Sequence, residues 1–136
     1  MRFSPVTIPL ICICLALAAA CSSDSSGNLC ADRSADSADR TVAFGGFQGS
    51  GAFSYSPSCM IIAAGQTVSF QGDFTMHPLS RGTVNDVNAG SPNSPLPLPA
   101  NDVGSSLAVT FPASGDYPYW CTIHTREGMN GAIQVK

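Results

Sequence analysis

Four side chains with metal-binding atoms stand out in the sequence, and three of them lie close together near the C-terminus. Cys121, His124 and Met129 are separated by two and four residues, which places a thiol, an imidazole and a thioether in one short segment. His77 lies well before this segment, and it and His124 are the two histidines of the chain. A short loop between two strands can turn such donors toward one point. The spacing therefore predicts a single metal site.

The donor types indicate which metal this site would hold. Two imidazoles, one thiolate and a weak thioether are the ligand set of copper sites that transfer electrons. The cysteine and the two histidines could also hold zinc in a tetrahedral site. Copper is favoured over zinc because Cu²⁺ binds such sites more tightly than Zn²⁺ does, and because a thioether is a ligand typical of copper. The sequence predicts one copper ion bound by His77, Cys121 and His124, with Met129 as a weak axial ligand.

The other cysteines bear on whether Cys121 is free. Two of the six lie in the apolar N-terminal segment, and Cys21 follows that segment directly. Cysteines of exported proteins usually pair, so Cys121 could belong to a structural disulfide. Cys30 and Cys59 can instead form a disulfide with each other, which leaves Cys121 as an unpaired cysteine. We expect that pairing.

The N-terminus has the three-part layout of a secretory signal over residues 1–20. Arg2 supplies a positive charge, an apolar run follows, and three alanines precede Cys21. The run is shorter than the ~20 residues of a membrane-spanning helix. The segment around Cys21 resembles a bacterial lipobox, in which this cysteine carries a lipid; ordinary cleavage beside Ala20 is the alternative. Either way we expect export to the periplasmic or cell-envelope side. We favour the lipobox interpretation, in which a lipid on Cys21 anchors the protein to the membrane.

The rest of the chain divides into a polar segment and one domain. Residues 21–40 are rich in Ser and Asp, which is typical of a flexible linker, although an acidic run could also bind a basic partner. Residues 41–136 contain short apolar or alternating runs separated by turn residues, which predicts an all-β sandwich of about seven or eight strands. The predicted strands lie at 41–44, 53–55, 59–63, 67–70, 107–111, 117–121 and 132–135. A net charge of −3 with scattered basic residues excludes an ordinary nucleic-acid-binding surface.

The C-terminal motif resembles the copper-binding signature of the cupredoxins, of the plastocyanin and pseudoazurin type. The likeness runs from Gly115 through Cys121, His124 and Met129 to Val135, and the strand before His77 is also similar. The resemblance implies a Greek-key sandwich, the four copper ligands named above, and a His124 that lies near the surface and passes electrons through an apolar patch. Many members have Asn directly after the first histidine. Here Pro78 takes that place, so the bonds that join the ligand loops must come from elsewhere.

These observations favour an electron carrier over an enzyme. Three strong ligands and an axial Met leave no position for a substrate, and no histidines remain for a second copper site. We expect a monomeric one-electron carrier between exported or membrane-bound redox proteins. A copper storage or delivery module is the alternative. Met60 and Met76 are expected to pack in the core rather than bind metal.

Overall fold

The computed structural model describes residues 30–35 and 39–136, which form two β-sheets. The predicted signal at 1–20 and the lipidation site Cys21 lie outside these residues. The strands of the described part are β1 (Ala31–Asp32), β2 (Thr41–Phe44), β3 (Tyr55–Ser56), β4 (Cys59–Ile62), β5 (Thr67–Gln71), β6 (Leu79–Arg81), β7 (Ser106–Thr110), β8 (Gly115–Cys121) and β9 (Asn130–Val135).

The strand order is that of a sandwich with Greek-key connections. One sheet has the order β1-β4-β9-β8-β6 and the other has β3-β2-β5-β7. The pairs β1/β4, β4/β9 and β2/β5 are parallel, and the remaining pairs are antiparallel. The predicted all-β sandwich is confirmed. The described residues form nine strands rather than seven or eight, because β1 and β6 were not predicted from the sequence.

The core lies between the two sheets and follows from the alternation of side chains along the strands. On β8, Tyr117, Tyr119 and Cys121 are buried, whereas Trp120 on the other face is only half-buried. Tyr119 packs edge-on against Phe70 of the opposite sheet, with ring centroids 5.1 Å apart. Since residues two apart on a strand share a face, the alternation that fills the core also turns Cys121 inward.

The N-terminal segment of the described chain is attached to the first sheet. Cys30 forms a disulfide with Cys59, and β1 then pairs with β4. The Lys136 ammonium lies 2.9 Å from the Asp32 carboxylate and joins this segment to the C-terminus. The sequence predicts a flexible linker over residues 21–40, but in the structure Ala31–Asp32 form a strand of the first sheet. The disulfide and the polar contacts hold a segment that has almost no apolar side chains.

The chain between β6 and β7 is long and irregular, as its Pro, Asn and Ser content predicts. It crosses the outer edge of β6, where the Arg81 N–H donates to the Pro97 carbonyl at 3.0 Å. Asn101 makes an isolated bridge to Leu79. These bonds hold β6, and with it the segment after His77, against the sheet. Within 30–35 and 39–136 we find no helical segment with the length and apolar character of a membrane span.

Candidate metal centre

Three of the four predicted ligands meet at one end of the sandwich. His77, Cys121 and His124 each offer one donor atom, and these atoms all lie within 4.8 Å of one another. The Cys121 Sγ is 3.5 Å from His124 Nδ1. Cys121 is fully buried and His77 is 7% exposed, whereas His124 lies partly at the surface. The cluster therefore has two buried donors and one that reaches solvent.

A tight turn between β5 and β6 positions His77. The Asp73 carboxylate accepts the Thr75 N–H at 2.9 Å and the Thr75 hydroxyl at 2.6 Å. The His77 N–H then donates to the Asp73 carbonyl at 3.0 Å. The bonds from the Thr75 side chain and backbone lower the pKa of Asp73, so the carboxylate stays ionised and the turn stays closed near neutral pH.

The backbone of Gly45 supports the far side of the His77 ring. Gly45 directly follows β2 and has a φ of +65°, which favours glycine. A Cβ at this position would lie 2.6 Å from His77 Cδ2 and 2.8 Å from Nε2, well inside an ordinary contact. The ring therefore rests against a main-chain surface that only glycine leaves open.

The other two candidate ligands of the cluster lie at the end of β8, for Cys121, and in the loop that joins β8 to β9, for His124. The Cys121 N–H donates to the Met129 carbonyl at 2.9 Å, and the Met129 N–H donates to the His124 carbonyl at 3.2 Å. These bonds close the loop on itself. Met129 is 2% exposed and packs in the same core as Cys121. The loop thus places Met129, the axial ligand that the sequence predicts, in a buried position.

Main-chain contacts join the two ligand segments where Pro78 replaces the usual Asn. The Thr122 N–H donates to the Pro78 carbonyl at 3.1 Å. Leu79 pairs with Cys121 in the antiparallel register of β6 and β8. Because a proline keeps its carbonyl, this connection needs no side chain at position 78.

The chemistry of the donors fits a metal ion. Among the described residues, no group accepts from or donates to His77 Nδ1, although this atom is buried. A buried nitrogen without a hydrogen-bond partner is uncommon in proteins, and a bound metal ion would explain it. Burial lowers the pKa of His77, and the charge of His124 lowers it further, which favours the neutral imidazole that binds metals. Cys121 beside it is a free thiol. An unpartnered imidazole nitrogen and a free thiol in one buried cluster suit copper.

Three exposed apolar side chains lie near the two histidines: Phe53 contacts the His124 ring, and Met76 and Ile123 directly precede His77 and His124 in the sequence. Phe53 is 50% exposed, Met76 59% and Ile123 57%. The Phe53 ring lies 4.7 Å from the His124 ring and 6.4 Å from that of His77. The expectation that Met76 packs in the core is wrong, because the turn that directs His77 inward directs its neighbour outward; Met60 does lie in the core.

The sequence analysis missed the roles of Gly45 and Phe53. The pair Gly45-Gly46 directly after a predicted strand signals a backbone that turns sharply, and this could have drawn attention to the contact with His77. Phe53 has no such signal, because its contact with His124 joins residues far apart in the chain.

Comparison with known proteins agrees with this site. The sequence profile of copper binding proteins of the plastocyanin/azurin family matches residues 42–136. Chloroplastic plastocyanin of Pisum sativum is 26% identical over 89 residues, covering 62% of this chain and 53% of that protein. The chain thus spans about half the length of this curated relative.

Solved structures show the same fold. Oxidised plastocyanin from Dryopteris crassirhizoma has a TM-score of 0.51 at 23% identity, covering 71% of this chain and 99% of that one. Pseudoazurin from Methylobacterium extorquens AM1 has a TM-score of 0.50 at 17% identity, covering 70% and 72%. On the match over residues 42–136, this chain belongs to the plastocyanin/azurin family of copper binding proteins.

Proposed function

We propose that this chain is a one-electron carrier with a type 1 copper centre bound by His77, Cys121, His124 and, axially, Met129. The observation that carries the proposal is the convergence of a free buried thiol and two imidazoles within 4.8 Å. Copper in such a site supplies a Cu(I)/Cu(II) couple. We further propose that the chain acts as a monomer and is not an enzyme.

The burial of the donors supports electron transfer rather than catalysis. Cys121 is 0% exposed, Met129 2% and His77 7%, so three of the four proposed ligands are closed to solvent and to a substrate. The main-chain bonds around both ligand segments hold the donors in place before any metal binds. A preorganised site needs little rearrangement when its charge changes, which suits a carrier.

The exposed edge of His124 is the proposed exit for electrons. Its apolar surroundings, Phe53, Met76 and Ile123, offer a surface that can be dehydrated against a redox protein. We propose that exported or membrane-bound redox proteins are the donor and the acceptor. An exposed histidine would also let a storage or delivery module exchange its metal, and the experiment below separates the two functions.

The first experiment is a Cu(II) titration of the purified full chain, followed by visible absorption and electron paramagnetic resonance. We expect an intense thiolate-to-copper band that saturates at one copper per chain and that bleaches and returns when the centre is reduced and reoxidised. Cys121→Ser should abolish the band. A band that survives this substitution would contradict the ligand assignment, and a colourless protein that binds zinc equally well would favour delivery.

The axial role of Met129 has a matched control in the exposed Met76. Met129→Leu should keep copper bound and raise the reduction potential, because it removes a donor that favours Cu(II). Met76→Leu should leave the potential unchanged. Equal potentials in all three proteins, measured by redox titration, would show that Met129 is not a ligand.

We also propose that the protein is exported and anchored by a lipid on Cys21. The lipobox-like sequence supports this proposal, and Cys21 lies outside the residues that the structure describes. Cys21→Ala should move the protein from the membrane fraction to the soluble fraction of a bacterial host. Retention in the membrane fraction after this substitution would contradict lipidation.

A further inference from the structure

The loop between β2 and β3 (residues 45–54, the covering loop) touches both histidines of the candidate metal centre. Its first residue, Gly45, lies against the His77 ring on the side of Cδ2 and Nε2. Near its other end, the Phe53 ring lies 4.7 Å from the His124 ring. His77 is 7% exposed, whereas His124 reaches the surface. The buried donors become accessible from solvent when His124 and the ring that covers it move outward.

Few bonds hold the covering loop to the rest of the molecule. Its main-chain hydrogen bonds are internal, such as the one from the Ser50 N–H to the Phe47 carbonyl at 2.9 Å. Among the residues that the structure describes, one hydrogen bond joins the loop to another strand, from the Gln48 side-chain amide to Gln71 Oε1 at 3.3 Å. Ser50 is the one buried residue of the loop. Segments that bury little apolar surface open more readily than the sheets that they connect.

The closed conformation of the covering loop carries two local costs. The Ser50 hydroxyl is buried, and in the described part of the chain no group bonds to it. A buried hydroxyl without a partner is costly because it has given up its hydrogen bonds to water. Gln48 has a φ of +48°, in the left-handed region that disfavours residues other than glycine. Opening the loop returns the Ser50 hydroxyl to water and releases Gln48, which brings the open state closer in free energy to the closed one.

We propose that the covering loop is a gate for the metal, which opens to let copper pass His124 and closes over the bound ion. This inference rests on the copper centre proposed above. When the loop opens, the Phe53 ring moves off His124, which can then swing outward. Opening breaks the same contacts whether or not metal is bound. A change in the ease of opening therefore alters copper uptake and release by the same factor and leaves the affinity unchanged.

The first test uses two substitutions that change the opening in opposite directions. Ser50→Ala removes the unpartnered hydroxyl, which should favour the closed loop and slow copper uptake and release about fivefold. Gln48→Ala removes the bond to Gln71 and should speed both about two- to threefold. Ser114→Ala, which changes an exposed serine at the opposite end of the sandwich, is the control and should leave both rates unchanged. Uptake of Cu(II) is followed by stopped-flow absorption of the thiolate-to-copper band, and release by transfer to a chelator.

The second test measures loop opening in the metal-free protein by hydrogen exchange. The N–H groups of Gly46 and Ser54 both donate to the Gly51 carbonyl in the closed loop. They should exchange about fivefold more slowly in Ser50→Ala and about two- to threefold faster in Gln48→Ala, the same factors as for copper.

The two tests together separate the gate from the copper centre itself. Exchange that changes while the copper rates stay the same would overturn the gate and leave the proposed function intact. Exchange that is the same in all variants, or a changed copper affinity without changed rates, would also overturn it. A chain that takes up no copper would overturn this inference together with the proposed function.

Discussion

The contact between Gly45 and His77 allows a direct test of how the backbone supports a copper ligand. In Gly45→Ala the new methyl group would lie 2.6 Å from the ring, where ordinary contact begins at 3.4 Å. The ring must therefore retreat by roughly 0.8 Å, whereas metal–ligand distances tolerate only about 0.2 Å. We expect the affinity for copper to fall about 10- to 100-fold, the usual range when the support of a ligand is removed.

Gly46→Ala is the matched control for this substitution. Gly46 also has a positive φ, +83°, but nothing lies within 4 Å of its would-be Cβ. Both variants carry the left-handed alanine, which costs about 1–2 kcal/mol in urea denaturation of the metal-free protein, and the close contact with the His77 ring adds a further loss in Gly45→Ala. Copper affinity, measured by competition with a chelator, should fall only in Gly45→Ala. Equal copper affinities in the two variants would refute the idea that the Gly45 surface positions His77.

Three further predictions concern the attached N-terminal segment and the ring over His124. Replacing both Cys30 and Cys59 with serine removes a cross-link between residues 29 apart, and loop entropy predicts a loss of about 3.5 kcal/mol in urea denaturation; a loss near zero would contradict it. The hydrogen bonds from Ser34 hold the pKa of Asp32 below its usual value of 3.8, so this carboxylate adds stability above that pH and loses it as the pH falls further. The melting temperature should accordingly drop more between pH 7 and pH 3 in the wild type than in Asp32→Asn, and equal drops would contradict this. Phe53→Ala should speed copper release to a chelator roughly two- to tenfold, since a ring contact is worth about 0.5–1.5 kcal/mol, whereas an unchanged rate would show that the ring does not retain the metal.

The longer strands and the ligand loop could be predicted from the sequence because their signals are local. Alternation of apolar residues marks β5, β8 and β9, and the spacing from Cys121 to Met129 fits within one loop. His77 could be identified by its residue type, since it and His124 are the two histidines of the chain, and by the similarity of the strand before it to that of the family; both histidines lie in the cluster.

The features that sequence reasoning missed depend on contacts between distant residues. β1 has two residues and β6 three, so neither is long enough to show an alternation of apolar and polar residues. Both form strands because they pair with a neighbouring strand, β1 with β4 and β6 with β8. Residues 30–35 resemble a linker in composition, and the disulfide, the pairing with β4 and the ion pair between Asp32 and Lys136 attach them to the rest of the domain. The exposure of Met76 follows from the direction of the turn before His77, which composition does not encode.

The replacement of Asn by Pro78 shows which part of this site is free to vary. The bonds that place the donors are made by main-chain groups of Asp73, Pro78, His124 and Met129. Main-chain bonds survive most substitutions, so the positions of the donors do not depend on a polar side chain after the first histidine. What remains open to variation is the side-chain surface over the site, above all the ring of Phe53. We therefore expect substitutions at Phe53 to change how far solvent and partner proteins can approach the copper centre, and substitutions at Gly45 to change how tightly the centre binds copper.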